Sequence, residues 1–335
     1  MTSQPIPFTA PPNVGRRSFM ALAAGAALLP GMGFAQETYP QRPIRLLVGF
    51  AAGGTPDSIA RTIAEQVSRS IGQTLVIENR AGANGMIAAQ ALAKAAPDGY
   101  TLLLTTPSIV INPSVYKKVP YDLAREILPI TDVALGDGYL LVVNPALGVD
   151  SIPGFIEYAK RHRPISFSSP GIGNTLHLAA ETFASRAGIE MTHVPYKGAA
   201  PALTAVMSGE VQAMFIPPTT AVSQVKGGKL RAIGFTSVKR WSELPNVPTV
   251  SESLQGFTFD SGWHAVFAPA GTPSPIVARL NAEFRKALNV PEVRNFLIQG
   301  GYEPSGRPQA EFAAFVQAEE KRYAEIVRTA KITPE

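Results

Sequence analysis

The stretch from Ile44 to Thr106 alternates short apolar runs with amphipathic segments, and this alternation limits the possible folds more than any other feature. The run Ile44–Phe50 has the length and apolar character of a strand covered on both faces of a sheet. In Thr55–Ile71, apolar residues recur every four positions, which predicts an amphipathic helix with Thr55 as its N-cap. A glycine-containing loop joins this strand to this helix.

The same unit then repeats. Thr74–Arg80 predicts a second strand, Met86–Ala96 a second helix and Thr101–Thr106 a third strand. Such alternation implies a parallel sheet with right-handed crossovers. The loops after the three strands should therefore meet at one edge of the sheet; they are Ala51–Asp57, Asn79–Gly85 and Thr105–Ser108.

A second series of strands and helices fills the middle of the chain, and helical segments follow a return through Gly262–Pro269. The simplest fold class is α/β with two lobes, each a mainly parallel sheet flanked by helices. We expect residues 36–136 and 259–335 to form lobe 1, and residues 137–258 to form lobe 2.

Residues 1–35 have the pattern of an export signal. Arg16 and Arg17 precede an apolar stretch, and the small residues Gly33 and Ala35 frame a cleavage site after Ala35. The apolar stretch is shorter than the roughly 20 residues of a membrane span, which favours cleavage over a retained anchor. The arginine pair suggests the twin-arginine route, with Sec export as the alternative. We therefore expect a periplasmic protein.

Composition excludes several classes of function. The signal carries two arginines and no acid, so 28 of the 30 basic residues and all 25 acidic residues remain after cleavage, a net charge of +3. Basic residues are not clustered with aromatic ones, so nucleic acid is not an expected partner. The chain has no cysteine, which excludes disulfides, cysteine-based metal sites and a lipid-anchored cysteine.

The stretch GFAAGGTPDSIAR, from Gly49 to Arg61, raises the question of phosphate binding. A P-loop needs a lysine directly after its last glycine, but no basic residue follows Gly54 before Arg61, and Asp57 would repel a phosphate. The glycine amides and the helix N-terminus can still face one small anion. The alternative is a tight turn that uses glycine only for its backbone freedom, with Thr55 and Asp57 as helix caps.

The stretch SSPGIGNTLHLAAE, from Ser168 to Glu181, matches a dinucleotide fingerprint only in part. Its third glycine position is Leu176, and no ribose-binding acid follows at the expected distance. Hydroxyl and amide side chains beside a helix N-terminus suit a small carboxylate better than a diphosphate. We interpret His177, early in this helix, as a packed or capping side chain.

Catalytic and metal-binding patterns are missing from the sequence. It has no G-x-S-x-G elbow and no H-E-x-x-H motif, and its four histidines lack metal-like spacing. Two S-x-x-K matches, at Ser114 and Ser223, have no companion motifs. We therefore expect no metal, no cofactor and no enzyme activity.

Several segments together resemble the Bug family, the periplasmic substrate-binding proteins of tripartite tricarboxylate transporters. The resemblance covers residues 39–330 and rests on YPQRPIRLLVGFAAGGTPDSIAR, VIENRAGANG, APDGYTLL, HVPYKG, GEVQAMF, GGKLRAIGFTS, LPNVPTVSE and APAGTPSPIVARLN. It implies a type II periplasmic binding protein, or Venus flytrap, that binds a small carboxylate between its lobes. It also implies a monomer that works with membrane transporter subunits.

The resemblance also assigns ligand-binding residues to both lobes. In lobe 1 these are Ala51, Ala52, Gly53, Gly54, Asp57, Asn84, Thr105, Thr106 and Ser108. In lobe 2 they are Ser168, Gly171, Gly173, Asn174, Thr175, Tyr196, Lys197 and Gly198. An acid at Asp57 is usual in the family, and capping its helix is its plainer role. Many relatives carry an acid after the strand VQAMF, where this chain has IPPTT, which favours an aliphatic or aromatic carboxylate over an amino acid.

The resemblance leads to one main hypothesis and two alternatives. The main hypothesis is a solute-binding protein that closes on a small carboxylate and delivers it to a transporter of the tripartite tricarboxylate type. One alternative is a carboxylate sensor that passes ligand occupancy to a signalling partner. The other is an exported α/β enzyme acting on a carboxylate, for which the sequence offers no nucleophile or acid–base pair with suitable spacing.

Overall fold

The computed structural model describes residues 39–330, together with residues 2, 4, 7 and 332. The predicted export signal therefore lies outside the described residues, except for three isolated positions. Within the described part of the chain, every helix is too short or too polar to cross a membrane. The described residues from Arg42 onwards form one compact unit, to which the following description applies.

Eleven strands form two sheets in the part of the chain that the structure describes. They are β1 (Ile44–Val48), β2 (Leu75–Asn79), β3 (Thr101–Thr105), β4 (Ile127–Gly136), β5 (Leu140–Val143), β6 (Ile165–Ser169), β7 (Met191–Pro195), β8 (Ala213–Ile216), β9 (Arg231–Phe235), β10 (Trp263–Pro269) and β11 (Tyr302–Pro304). One sheet has the order β11-β4-β10-β3-β1-β2, and the other has the order β7-β6-β8-β5-β9. We call the elements around the six-stranded sheet lobe 1 and those around the five-stranded sheet lobe 2.

Helices flank both sheets. They are α1 (Thr55–Ile71), α2 (Met86–Ala93), α3 (Ser108–Val115), α4 (Leu123–Glu126), α5 (Ile152–Arg161), α6 (Thr175–Ala187), α7 (Ala199–Ser208), α8 (Pro218–Lys226), α9 (Ser274–Leu288), α10 (Pro291–Gln299) and α11 (Gln309–Thr329). Helix α1 buries the apolar face that its four-residue spacing predicts, from Ile59 to Ile71. Helix α2 ends at Ala93, three residues before the predicted end.

Both sheets are mixed, whereas the sequence predicts mainly parallel ones. Strand β1 pairs in parallel with β2 and β3, and β6 pairs in parallel with β7 and β8. The remaining pairs, which involve β4, β5, β9, β10 and β11, are antiparallel. The local alternation of strand and helix indicates only the crossover units. It carries no information on the strands that reach a sheet after the chain has changed lobes.

The two connections between the lobes run side by side. The chain leaves lobe 1 after β4 and returns before β10, and the Gly136 N–H donates to the Gly262 carbonyl at 2.7 Å. A Cβ atom at Gly136 would lie 1.8 Å from the Ser261 hydroxyl, so this approach requires glycine. The Tyr139 hydroxyl donates to the Ser261 carbonyl at 3.0 Å and pairs with the Thr175 hydroxyl of α6. We keep the predicted lobe boundaries, at residues 136–137 and 258–259, as a proposal.

Candidate functional site

The loops that follow β1, β2 and β3 lie together at one edge of the lobe 1 sheet. A Cβ atom built on Gly49 would lie 3.2 Å from the Cα of Gly85 and 3.6 Å from the Thr105 hydroxyl. Parallel pairing of the three strands brings about this meeting, because it places their carboxyl ends at the same edge. The structure therefore joins the three loops that the sequence predicts to form one rim.

The loop Ala51–Gly54 is a tight turn that leaves part of its backbone available. Ala51, Ala52 and Gly53 are exposed. Gly53 has a φ of +78°, which favours glycine, and the Gly54 N–H donates to the Ala51 carbonyl at 3.3 Å. The Gly53 N–H donates to the Asp57 carboxylate at 2.9 Å. Among the described residues, the amides of Ala51 and Ala52 have no acceptor, so these two N–H groups remain for an anion.

Asp57 anchors this loop to the end of β2. Its side chain is buried and accepts hydrogen bonds from the Gly53 amide (2.9 Å), the Asn79 side chain (2.9 Å) and the Arg61 guanidinium (3.0 Å). Asn79 also donates to the Phe50 carbonyl at 3.1 Å. Burial raises the pKa of Asp57, but the hydrogen bonds from Arg61, Gly53 and Asn79 together outweigh this effect. The pKa of Asp57 therefore lies below its ordinary value.

The predicted caps of α1 differ from those in the structure. The N-cap residue is Gly54 rather than Thr55, and no side chain caps it. Asp57 reaches back to the Gly53 amide, one residue before the N-cap. The carboxylate of Asp57, in the first turn of α1, therefore holds the loop that precedes the helix. As a ligand contact, Asp57 stays a prediction, and both of its oxygens already accept bonds within lobe 1.

The other predicted residues of the lobe 1 rim support each other. Asn84 donates to the Asn112 side chain at 2.9 Å, and the hydroxyls of Thr106 and Ser108 lie 2.6 Å apart. Thr105 and Ser108 are buried, whereas Asn84 and Thr106 are partly exposed. Asn84 and Thr106 are thus the rim side chains best placed to meet a solute.

In lobe 2, the loop between β6 and α6 is held by its own side chains. Asn174 is the N-cap of α6, accepting from the Leu176 and His177 amides, and its Nδ2 donates to the Gly171 carbonyl at 2.5 Å. The Ser169 hydroxyl donates to the same carbonyl at 2.7 Å. These contacts place Gly171, Asn174 and Thr175 at one end of the lobe 2 sheet.

Ser169 takes part in this loop network but is not among the predicted ligand residues, which include Ser168 instead. Successive strand residues face opposite sides of a sheet, so the two serines point in opposite directions. The Ser168 hydroxyl is buried and donates to the Ala202 carbonyl of α7 at 2.9 Å. Phe167 and Ser169 are two residues apart on β6 and therefore lie on the same face of the sheet. This two-residue period is the signal that identifies the correct face. Ser168 as a ligand residue stays a prediction.

Two stacked histidines lie beneath the lobe 2 loop. The rings of His177 and His193 are 3.9 Å apart, and His193 Nε2 lies 2.6 Å from the Ser169 hydroxyl. His177 Nδ1 accepts from the Gly173 amide at 3.2 Å. This agrees with its interpretation as a packed side chain. Burial is the main cause that lowers the pKa of His193 to about 3, and the neighbouring His177 is a smaller one. His193 is therefore neutral at ordinary pH.

The loop Tyr196–Gly198 joins the same network from β7. The Tyr196 amide donates to the Ser169 carbonyl at 2.9 Å, and its hydroxyl donates to Glu210 at 2.9 Å. Lys197 is exposed. The structure thus brings the two predicted segments of lobe 2 together, and exposed Lys197 lies on the second of them.

The lobe 2 loop touches lobe 1 beside the rim. The Tyr116 hydroxyl, just after α3, donates to the Ile172 carbonyl at 3.0 Å. A Cβ atom on Gly262 would lie 2.6 Å from Pro107 and 3.5 Å from Thr175. In the part of the chain that the structure describes, no hydrogen bond or ion pair joins Ala51–Gly54 directly to the lobe 2 loop.

A cavity of about 470 Å³ lies elsewhere, beside the connections between the lobes, and is lined by none of the predicted ligand residues. Its arginines are already paired, Arg322 with Asp260 and Glu319, and Arg307 with Asp132. We therefore place the candidate site at the loops. Among the described residues, no group of three or more histidine, aspartate or glutamate side chains is arranged to hold a metal ion.

Comparison with known proteins identifies the relatives of the chain. The family model described as tripartite tricarboxylate transporter family receptor matches residues 59–332. A UPF0065 protein from the tcbD-tcbE intergenic region of Pseudomonas sp. (strain P51) is 37% identical, with 94% of each chain covered. An R. palustris protein solved with adipate has a TM-score of 0.83 and 35% identity over 89% of this chain and 100% of that one. MatC from Rhodopseudomonas palustris, solved with bound malate, has a TM-score of 0.79 and 31% identity over 86% of this chain and 100% of that one.

The buried hydrogen bonds of Asp57 predict a pH-dependent effect on stability. Its folded pKa lies below the unfolded value of about 4, so the ionised group stabilises the fold above that pH. This stabilisation is lost as the pH falls through the folded pKa. Asp57→Asn should therefore lower the free energy of unfolding by about 1–2 kcal/mol at pH 7, and by less at pH 3, in urea denaturation.

Glu157→Gln, in the exposed pair with Arg161 on α5, is the matched control, with little effect at either pH. An equal loss of stability for Asp57→Asn at pH 7 and pH 3 would contradict the role of the ionised carboxylate.

Proposed function

Because the chain belongs to the tripartite tricarboxylate transporter receptor family, we propose that it captures a small carboxylate in the periplasm and delivers it to a membrane transporter of that type. The family is one of solute receptors, not of enzymes. The observation that carries the proposal is a pair of strand–loop–helix loops, one in each lobe, in a chain whose solved relatives hold adipate and malate.

The chemistry of the lobe 1 loop supports a carboxylate as the ligand. Ala51 and Ala52 are exposed residues, and their amides precede the N-terminus of α1, whose dipole favours negative charge. The Arg61 guanidinium is engaged by Asp57, so a ligand here meets backbone N–H groups rather than a free cation. Such a site suits one carboxylate better than a phosphate with two charges.

The lobe 2 loop supplies polar groups of a different kind. Asn174 and Ser169 are committed to the Gly171 carbonyl, and Lys197 is exposed at the neighbouring loop. A dicarboxylate held between the lobes would meet amides at one end and this lysine with neutral polar groups at the other. We therefore propose dicarboxylates, the class that includes adipate and malate, as the first ligands to test.

A thermal-shift panel of carboxylates tests this function. A ligand at 100 times its dissociation constant adds about 2.7 kcal/mol to the free energy of unfolding, which raises the Tm of a chain of this size by about 5 °C. We expect such a shift with adipate, malate or a related dicarboxylate, and none with adipamide, the neutral analogue of adipate. If no carboxylate raises the Tm, the proposal is wrong.

Gly53 provides a test of the lobe 1 loop, with a matched control in the same chain. Gly53 and Gly72 have φ values of +78° and +79°, and a Cβ atom at either would meet no atom within 4 Å. Alanine should cost about 1 kcal/mol of stability at each position through backbone strain. Only Gly53→Ala should also weaken carboxylate binding in titration calorimetry, because relaxation of its φ moves the Ala51 and Ala52 amides.

Equal affinity of Gly53→Ala and Gly72→Ala, with equal loss of stability, would show that the loop is only a turn.

Delivery to a transporter is tested by uptake of the carboxylate that binds. We expect a strain without the gene to lose this uptake and the wild-type gene to restore it. Normal uptake together with altered gene expression would instead identify a sensor.

A further inference from the structure

One peptide unit in the lobe 2 loop, between Ile172 and Gly173, is bonded at both ends. Its carbonyl accepts from the Tyr116 hydroxyl at 3.0 Å, and its N–H donates to His177 Nδ1 at 3.2 Å. Tyr116 belongs to lobe 1 and His177 to α6 of lobe 2. The two polar atoms of a single peptide unit thus have partners in opposite lobes.

Close packing confirms that this is a contact between the lobes. A Cβ atom at Gly173 would lie 2.9 Å from Val115 Cγ1, so the last residue of α3 lies directly against the loop backbone. Gly173 also has a φ of +72°, which favours glycine. Val115 is fully buried. Two adjacent residues of lobe 1 therefore contact this peptide unit: Val115 packs against it, and Tyr116 donates a hydrogen bond to it.

His177 is held in its orientation by contacts that need no ligand. Its ring stacks on His193, and His193 stacks on Phe167 with ring centroids 4.9 Å apart. Because His177 Nδ1 accepts the Gly173 amide, the ring N–H is on Nε2, which lies 3.5 Å from Glu181 Oε1. The orientation of the Ile172–Gly173 peptide unit is thus set within lobe 2.

We propose that Tyr116 and His177 are positioning residues that hold this peptide unit as a latch between the lobes and so set affinity without contacting the bound carboxylate. His177 turns the Ile172 carbonyl towards lobe 1, and Tyr116 bonds to it when the lobes are together. The inference rests on the proposed binding function with lobe closure. A ligand that favours the closed form gains the latch, and because the latch lies between protein groups, the gain is equal for all ligands.

The first test is Tyr116→Phe, with adipate and malate as probes in titration calorimetry. Loss of one hydrogen bond from the closed form should weaken binding of each probe by about three- to tenfold and leave their ratio unchanged. Thr182→Val removes a hydroxyl-to-carbonyl bond within α6 (2.7 Å, to Leu178) and should leave both affinities unchanged. Unchanged affinity of Tyr116→Phe, or a loss for one probe only, would overturn the latch.

A double-mutant cycle tests whether the two residues act through the same peptide unit. His177→Leu removes the acceptor and should weaken binding, whereas His177→Asn, whose Oδ1 replaces Nδ1, should restore most of it. Adding Tyr116→Phe to His177→Leu should weaken binding by less than about twofold more. Losses that multiply, or an Asn variant as weak as the Leu variant, would show that the two residues act separately.

A ligand-free measurement separates this inference from the proposed function. Because the chain has no cysteine, the substitutions Lys160→Cys in lobe 2 and Lys286→Cys in lobe 1 can carry spin labels. Tyr116→Phe should shift the distance distribution towards longer values without any carboxylate. If no carboxylate of the thermal-shift panel binds the wild type but this shift occurs, the proposed function fails and the latch stands. Identical distributions with unchanged affinities would overturn the latch alone.

Discussion

The contact between the two connecting segments, where Gly136 meets Gly262, is the constraint on which the arrangement of the lobes depends. Its 2.7 Å hydrogen bond leaves no space for a Cβ atom at Gly136. Tyr139 links the same place to the Ser261 carbonyl and to Thr175 at the start of α6. The junction therefore links both connecting segments to the helix that begins at the lobe 2 loop.

The two loops are built on the same local plan. In each lobe, a glycine with positive φ donates its amide to the side chain four residues later, Gly53 to Asp57 and Gly173 to His177. Each acceptor is the third residue of the following helix. One acceptor is a carboxylate that is paired with Arg61, and the other is an imidazole ring. Similar backbone geometry is thus held by different chemical groups in the two lobes.

Sequence periodicity predicted the lobe 1 rim because that rim depends on local information. Alternating strands and helices fix where Gly49, Gly85 and Thr105 meet. The antiparallel strands were missed because β4 and β10 pair only after the chain has passed through lobe 2. The bond from Tyr116 to Ile172 joins residues 56 positions apart, and no pattern in either segment indicates it. Side-chain direction, contacts between lobes and choice of ligand all depend on distances that one sequence does not contain.

The path of the chain between the sheets also orders their assembly. The five-stranded sheet uses only residues 140–235, whereas the six-stranded sheet combines strands within 44–136 with strands within 263–304. Lobe 2 can therefore form from one continuous segment, but β10 joins β3 only after a long loop has closed. Until then β3 presents an open edge, the kind of surface on which strands from other chains pair, so the folded middle segment shortens the period of exposure by holding both ends of that loop together.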